Sequence, residues 1–227
     1  MSDVELQAAW LSLQLAVVTV LMVTPLAVAL ATVMARTQWR GKVVLDTLIL
    51  LPMGLPPAAL AIGVLHGLPD GPVDFFPWGV LLANGLMATP LMVRVLRPAF
   101  EATDPMLLAV ARSLGASRWR AWWTITLPMA LPAIASAAAL GLAVAWGESG
   151  VTMALAASLP EQAHAHPTAA VAVVAALKGR GEPAWGLVSV ALALGLLAVG
   201  ASEVARARWR RQWRTRLHIA HPAGGPT

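Results

Sequence analysis

The chain has 227 residues, of which 58% are hydrophobic and 12% are charged. Soluble domains contain about 25% charged residues, so the composition excludes an ordinary soluble domain and predicts a polytopic membrane protein. The net charge is +5, and the basic residues form short clusters beside apolar runs, which favours anchoring at a membrane face over nucleic-acid binding. Cysteine is absent, which excludes disulfides, thiolate catalysis and cysteine-ligated metal.

Five apolar runs are long enough to cross a bilayer, for which about 20 residues are needed. They lie at about 6–35, 43–65, 75–93, 129–157 and 183–203. Pro25 predicts a kink in the first run, and Pro52, Pro56 and Pro57 predict a broken helix in the second. The chain is therefore predicted to be an all-α, polytopic membrane helical bundle with about five transmembrane helices.

The distribution of basic residues predicts the orientation of these helices. With the N-terminus outside and the C-terminus inside, every lysine and arginine except Lys178 and Arg180 lies on the cytoplasmic side. Residues 1–205 then form a single transmembrane domain, and residues 206–227 form a basic cytoplasmic tail that is predicted to be disordered. The segment within 165–180 that reads AAVAVVAAL is too short to cross, and it is interpreted as a re-entrant or surface helix.

Two groups of polar residues beside the spans are candidates for an ion pair and for a metal site. Asp46 follows Arg40 and Lys42, which predicts an ion pair at the inner face. His164 and His166 are two residues apart, which is a poor arrangement for a metal, so no metal site is predicted.

The inner segment 98–128, between the third and fourth spans, contains a predicted short helix. Asp104 is a good N-cap, Pro105 suits the first helical position, and Gly115 suits the position after the C-cap. Ser117 is placed to cap a second helix that runs through the tryptophans. The segment is therefore predicted to project as an ordered loop of two helices.

One face of the short helix is apolar, because four of its residues follow the i, i+3, i+4, i+7 spacing. They are Leu107, Val110, Ala111 and Leu114. Two interpretations are open for this face. The helix lies on the lipid surface, with the neighbouring arginines on phosphates and the tryptophans at the interface, or its compact apolar face fits the groove of a partner protein.

The fourth span contains two glycines that weaken the helix and one charged residue, Glu148, between them. Gly147 and Gly150 predict a bend, and Met153 and Leu155 are candidates for a dewetted constriction on a translocation path, with a kinked, packed helix as the alternative. Glu148 is expected to face a cavity or a partner, to bond backbone N–H groups at the bend, or to sit at the outer interface. Its carboxylate would repel an oxyanion and suits a cationic substrate.

Gly115, the nine residues after it and Ile125-Thr126-Leu127-Pro128 resemble the cytoplasmic loop motif of ABC-importer permeases, which reads E-A-A, three residues, G, nine residues, I-x-L-P. Ala109-Val110-Ala111 stands where that motif has E-A-A, so its glutamate is missing. Longer stretches resemble molybdate permease subunits, with thiamine, iron(III) and sulfate permeases as close relatives. They are RGKVVLDTLILLPMGLPPAALAIG (40–63), ATPLMVRVLRPAFE (88–101), LGASRWRAWWTITLPMALPAI (114–134) and WGESGVTMALA (146–156), the last of which is similar to the family's G-E-F-G-A-T stretch.

The resemblance implies a permease with the type I ABC importer fold in a bacterial inner membrane. The implied partners are a second permease copy, two cytoplasmic ATPase subunits, an extracytoplasmic binding protein and lipid. The chain has no G-x-x-x-x-G-K-[ST] phosphate loop, so it is expected to be neither an enzyme nor the holder of a cofactor, and ATP is expected on the partner. The implied ATPase-coupling residues are Leu107, Val110, Ala111, Leu114, Gly115, Ala116 and Ser117.

The substrate that the resemblance implies is a small oxyanion such as molybdate or tungstate. Thiamine, iron(III) and sulfate are alternatives within the same family. An ion-driven secondary transporter is the alternative of another class, although no convincing inverted repeat is found in the sequence.

Overall fold

The computed structural model describes residues 3–37, 41–67, 75–158, 168–169, 171–173 and 185–220, with side chains in the last range through residue 207. These residues form helices and turns and contain no strand, which confirms the predicted all-α class. The elements are α1 (Asp3–Arg36), α2 (Lys42–Gly54), α3 (Pro57–Gly67), α4 (Phe75–Glu101), α5 (Pro105–Ser113), α6 (Arg118–Ala121), a π-helical turn (Trp122–Thr126), α7 (Leu127–Gly147), α8 (Gly150–Ser158) and α9 (Trp185–Ala220).

Four stretches of the described chain are long and apolar enough to cross a membrane. They are Glu5–Arg36, Pro77–Glu101, Arg118–Ala157 and Trp185–Ala207. The helices α2 and α3 would together add a fifth span, which is bent by 108° where the two helices meet. The predicted number of about five spans therefore agrees with the structure.

Prolines cause the bend between α2 and α3. Leu55 leaves the helical conformation, with φ −90° and ψ 143°, because a residue before proline is driven toward extended backbone. Pro56 also lacks the N–H that would continue the α2 ladder. The prediction of a broken second span is confirmed.

The centre of the bundle is built from small side chains on α1, α4 and α7. Alanines of all three helices are at most 3% exposed, and small residues allow helix backbones to approach closely. The alanines at this contact are Ala27, Ala31, Ala88, Ala133 and Ala137. Larger buried side chains of α4, Met92, Leu96 and Phe100, fill the remaining space.

Two predicted boundaries differ from the structure. The third span was expected to end at 93, but α4 continues through Pro98 to Glu101, and its side chains Leu96 and Phe100 are buried in the core. The tail was expected to be disordered from 206, but α9 continues as a helix to Ala220. Residues 206–220 contain no glycine or proline, and Arg206 pairs with Glu203 one turn earlier.

Several predictions fall outside the described residues and stay predictions. These concern Lys178, Arg180, His164, His166 and Arg40. Of the segment 165–180, the structure describes Thr168, Ala169 and residues 171–173. Ala169 is buried in a cluster with Ala9, Ala16, Trp146 and Leu187, so this part of the segment packs among the helices of the bundle.

Candidate functional site

The short inner helix α5 begins as the sequence predicts. A carboxylate oxygen of Asp104 accepts a hydrogen bond from the Met106 amide at 2.8 Å, and Pro105 occupies the first helical position. This side chain satisfies one of the backbone donors that a helix start leaves unpaired. The predicted N-cap is confirmed.

The end of α5 is closed by a left-handed glycine. Gly115 has φ +86°, the only positive φ among the described residues. Its amide donates to Arg112 O at 3.0 Å, and the Ala116 amide donates to Ala111 O at 3.0 Å. This pair of bonds is the Schellman closure, for which glycine is preferred because it has no Cβ. The predicted C-terminal glycine is confirmed.

The predicted apolar face of α5 is open to its surroundings. Leu107 is 43% exposed, Val110 is 50% exposed and Leu114 is 82% exposed, and no residue of the helix is buried. Most of the contacts of α5 are with α6 and the π-helical turn, so the helix projects from the bundle. Ala111 and Ala116, two other predicted coupling residues, are half-buried.

Three tryptophans that follow α5, Trp119, Trp122 and Trp123, pack together and form an aromatic base for it. Ser117 caps α6 by accepting from the Arg120 amide at 3.1 Å, as the sequence predicts. The rings of Trp119 and Trp122 stack at 5.4 Å, and Trp123 meets both of them edge-on. Stacked and edge-on pairs of this kind add stability beyond the area that they bury.

A π-helical turn directly follows α6, and the sequence analysis did not predict it. It spans Trp122–Thr126, and the Leu127 amide closes it on Trp122 O. Single π turns inside helices are uncommon and recur at functional sites. Here the turn lies between the coupling segment and the long helix α7.

An ion-pair cluster connects α2 to the end of α4 next to α5. A guanidinium nitrogen of Arg97 lies 3.1 Å from an Asp46 carboxylate oxygen, and its Nε donates to Glu101 at 2.8 Å. The prediction that Asp46 forms an ion pair is confirmed, and the structure identifies Arg97 as the partner. Glu101 is the last residue of α4, three residues before the Asp104 cap, so the cluster joins α2 to the part of α4 that leads into α5.

The fourth span is interrupted at Glu148 and Ser149, where α7 ends and α8 begins. Glu148 has φ −68° and ψ 113°, and its Oε1 accepts from the Val151 amide at 2.8 Å. Glu148 bonds a backbone N–H at the bend and also lines a small cavity, which are two of the options that the sequence left open. The carboxylate thus caps the start of α8.

Close packing against α3 explains one of the two glycines at this break. A Cβ on Gly150 would lie 2.9 Å from Pro57 Cγ and 3.1 Å from Pro57 Cβ, closer than side chains approach one another. A Cβ on Gly147 would meet nothing within 4 Å. Gly150 is therefore required by the contact between α8 and α3, whereas Gly147 has no such requirement.

The two candidate constriction residues lie in different environments. Leu155 is fully buried in a cluster with Leu60, Val64 and Ala83, so it holds α8 against α3 and α4 in this conformation. Met153 is half-buried. The constriction at Met153 and Leu155 stays a prediction.

The comparisons with known proteins agree with this arrangement. A family model described as "Binding-protein-dependent transport system inner membrane component" matches residues 24–211. The molybdenum transport system permease protein ModB of Escherichia coli (strain K12) is 34% identical over 210 residues, which are 86% of this chain and 91% of that protein. The molybdate/tungstate transport system permease protein WtpB of Thermococcus kodakarensis is 37% identical over 145 residues, which are 64% of this chain and 58% of that one.

A solved structure shares the fold. It is the crystal structure of a bacterial ABC transporter involved in the import of the acidic polysaccharide alginate. The TM-score is 0.62 at 18% identity, and the match covers 93% of this chain and 80% of that chain. At this identity the likeness shows the fold alone.

Proposed function

Because this chain belongs to the family of inner membrane components of binding-protein-dependent transport systems, we propose that it is the permease subunit of an ABC importer that passes molybdate or tungstate into the cell. The family model covers most of the chain, and the relatives similar over nearly their whole length are named for molybdenum transport. These names favour an oxyanion over thiamine or iron(III). Membership also implies an ATPase partner and a substrate-binding protein.

The projecting helix α5 is the observation on which the mechanism depends. Leu107 and Val110 on the helix and Leu114 at its C-cap are exposed, both ends of the helix are capped, and it is joined to the bundle through the aromatic base. An exposed apolar face on an ordered helix is the form that fits a groove in a partner protein. We assign that groove to the cytoplasmic ATPase, which binds ATP and hydrolyses it, while this chain holds no cofactor.

The same face would suit the membrane surface less well. The neighbouring tryptophans Trp119 and Trp123 are 67% and 50% exposed and already provide interfacial anchors beside Arg118 and Arg120. They lie on α6 and the π-helical turn, and not on α5. Lipid contact is therefore assigned to the aromatic base, and ATPase contact to Leu107, Val110 and Leu114.

The break at Glu148 gives the fourth span a hinge. Movement of α5 reaches α7 through α6 and the π-helical turn, and α8 follows α7 after two residues outside the helical ladder. The helices α8 and α3 share a buried cluster, so they are proposed to move as one unit that opens and closes the path past Met153. This is alternating access, with the hinge at Glu148 and Gly150.

Glu148 has a structural role in this conformation. Its Oε1 accepts a hydrogen bond from the Val151 amide, so the carboxylate caps the start of α8. This hydrogen bond does not cancel the repulsion between a carboxylate and an oxyanion that passes close to it. The oxyanion substrate is therefore proposed on the names of the relatives and not on this residue.

A second copy of the chain is proposed to complete the path. No residue of α2 is buried, and its exposed side chains include Val43, Val44, Leu48 and Leu51. A span in a bundle packs on at least one side, so this surface is assigned to the second permease copy and to lipid. The N-terminus is placed outside and the C-terminus inside, on the distribution of basic residues.

Uptake by reconstituted vesicles tests the proposal. The chain would be incorporated with its ATPase, supplied with the binding protein, and assayed for radiolabelled molybdate, tungstate, sulfate and thiamine. Uptake of molybdate or tungstate that requires ATP and both partners is expected. Uptake of another of these ligands would contradict the substrate, and uptake by the chain alone under an ion gradient would contradict the importer.

A further inference from the structure

A small polar cavity lies inside the bundle beside the break between α7 and α8. Side chains from α1, α4, α8 and the segment around Thr168 meet there. The polar ones are Ser12, Asn84, Glu148, Thr152 and Thr168. The cavity volume is about 10 Å³, which is room for one water molecule and nothing larger.

Two of the residues that line this cavity each have a buried polar atom without a protein partner among the described residues. Asn84 is 2% exposed and its Oδ1 accepts no hydrogen bond there. Thr168 is 3% exposed and its Oγ1 makes no hydrogen bond there. Buried polar atoms are almost always bonded to protein or to ordered water, so two such atoms at one cavity point to a shared ligand.

The remaining bonding capacity of the lining matches a water molecule. Asn84 Oδ1 can only accept, whereas the Thr168 hydroxyl can both donate and accept. Ser12 Oγ accepts from the Ala169 amide at 2.8 Å and still has its own proton to donate. A water that donates to Asn84 and exchanges bonds with the two hydroxyls has the two to four partners that buried waters use.

We propose that the cavity binds one ordered water, which joins Asn84 Oδ1 on α4 to Thr168 Oγ1 and so holds Thr168 and Ala169 against the bundle next to the hinge. These two residues are joined to α1 by the bond from the Ala169 amide to Ser12, and the water adds a link to α4. No basic side chain lines the cavity, and its volume is too small for a tetrahedral oxyanion. The proposal does not depend on the identity of the transported substrate.

Replacing one polar group by an apolar group of similar shape distinguishes a water-filled cavity from a dry one. If a water bridges the two atoms, Thr168→Val and Asn84→Leu each leave the water and the other atom short of a partner, and the melting temperature falls. A fall of at least about 2 °C is expected for each variant, measured on the full-length chain in lipid nanodiscs. If the cavity is dry, each change removes an unpaired polar group and the melting temperature stays the same or rises, which would overturn the proposal.

Two control variants separate the loss of the Thr168 hydroxyl from a general effect of replacing a buried threonine. Thr168→Ser retains the hydroxyl but loses a buried methyl group, so its melting temperature is expected to fall less than that of Thr168→Val. Thr19 is also a buried threonine without a partner among the described residues, but it does not line this cavity, so Thr19→Val is expected to cause no loss. A fall in Thr19→Val as large as that in Thr168→Val would contradict the assignment, because the effect would then be general.

A bound alkali cation is the other ligand that an oxygen-lined cavity can accept. The melting temperature would therefore be compared in sodium, potassium and choline chloride at equal ionic strength. Equal values are expected for a water. A rise specific to sodium or potassium that disappears in Asn84→Leu would replace the water by a cation and overturn the proposal.

Discussion

The end of α5 gives the most direct prediction from backbone geometry. Gly115 has φ +86°, and a Cβ placed on it would meet nothing within 4 Å. The substitution Gly115→Ala therefore adds no clash, and its cost is that of a left-handed backbone for an L-residue, about 1–2 kcal/mol. Because α5 has no buried residue, this cost is expected to loosen the helix locally and to leave the bundle unchanged.

Hydrogen exchange followed by mass spectrometry measures that loosening. A cost of about 1.4 kcal/mol corresponds to a tenfold change in an equilibrium, so peptides that cover α5 and Gly115 should exchange roughly 5- to 30-fold faster. Gly195→Ala is the matched control, since Gly195 lies inside α9, has no positive φ and has nothing within 4 Å of its Cβ position. Exchange in α5 that is unchanged in Gly115→Ala, or equally faster in the control, would refute the reasoning.

The other predictions concern packing inside the bundle. Gly150→Ala places a Cβ against the Pro57 ring and should destabilise the chain by about 1–3 kcal/mol in a denaturation assay. Adding Pro57→Ala removes the ring atom at 2.9 Å and should recover most of the lost stability. No recovery in the double variant would show that the clash is not the cause. Ser136 Oγ on α7 lies 2.9 Å from Ser202 O and 3.0 Å from Ser202 Oγ on α9, so Ser136→Ala should lower the free energy of unfolding by about 0.6–1.7 kcal/mol. Ser189 is exposed and is bonded within its own helix, so Ser189→Ala should lower it less. Equal losses of stability in the two variants would contradict a role for the interhelical bond.

Local patterns predicted the coupling segment well. The caps at Asp104 and Gly115 and the capping serine Ser117 are all present, because each depends on a few neighbouring residues. The prolines Pro56 and Pro57 likewise indicated the break between α2 and α3. These features require no knowledge of how distant helices meet.

Features that depend on contacts between helices were missed. Leu155 packs with Leu60 and Val64 on α3, and a sequence gives no sign of which neighbour a helix will choose. The partner of Asp46 is Arg97, which lies 51 positions later in the chain. The sequence analysis did not predict a role for Asn84, although an asparagine within a span is itself a reason to expect a partner.

Helix length also differs from the predicted bounds of the spans. Hydropathy measures the part of a helix that lies in hydrocarbon, whereas α4 continues to Glu101 and α9 continues to Ala220. The ion pair between Arg97 and Glu101 lies in this additional part of α4.

Docking of α5 on the ATPase is the central claim, and a pair of charge insertions tests it most directly. Val110 lies on the exposed apolar face, whereas Ala109 is exposed on the opposite side of the same helix, where the resembling motif has glutamate. The ATPase subunit would be co-purified with Val110→Glu and with Ala109→Glu, and substrate-stimulated ATP hydrolysis would be measured in both complexes. We expect Val110→Glu to lose at least about tenfold in ATPase binding, because a buried unpaired charge is costly, and Ala109→Glu to retain both binding and hydrolysis. Equal retention in both variants, or equal loss, would contradict the assignment of this face to the ATPase.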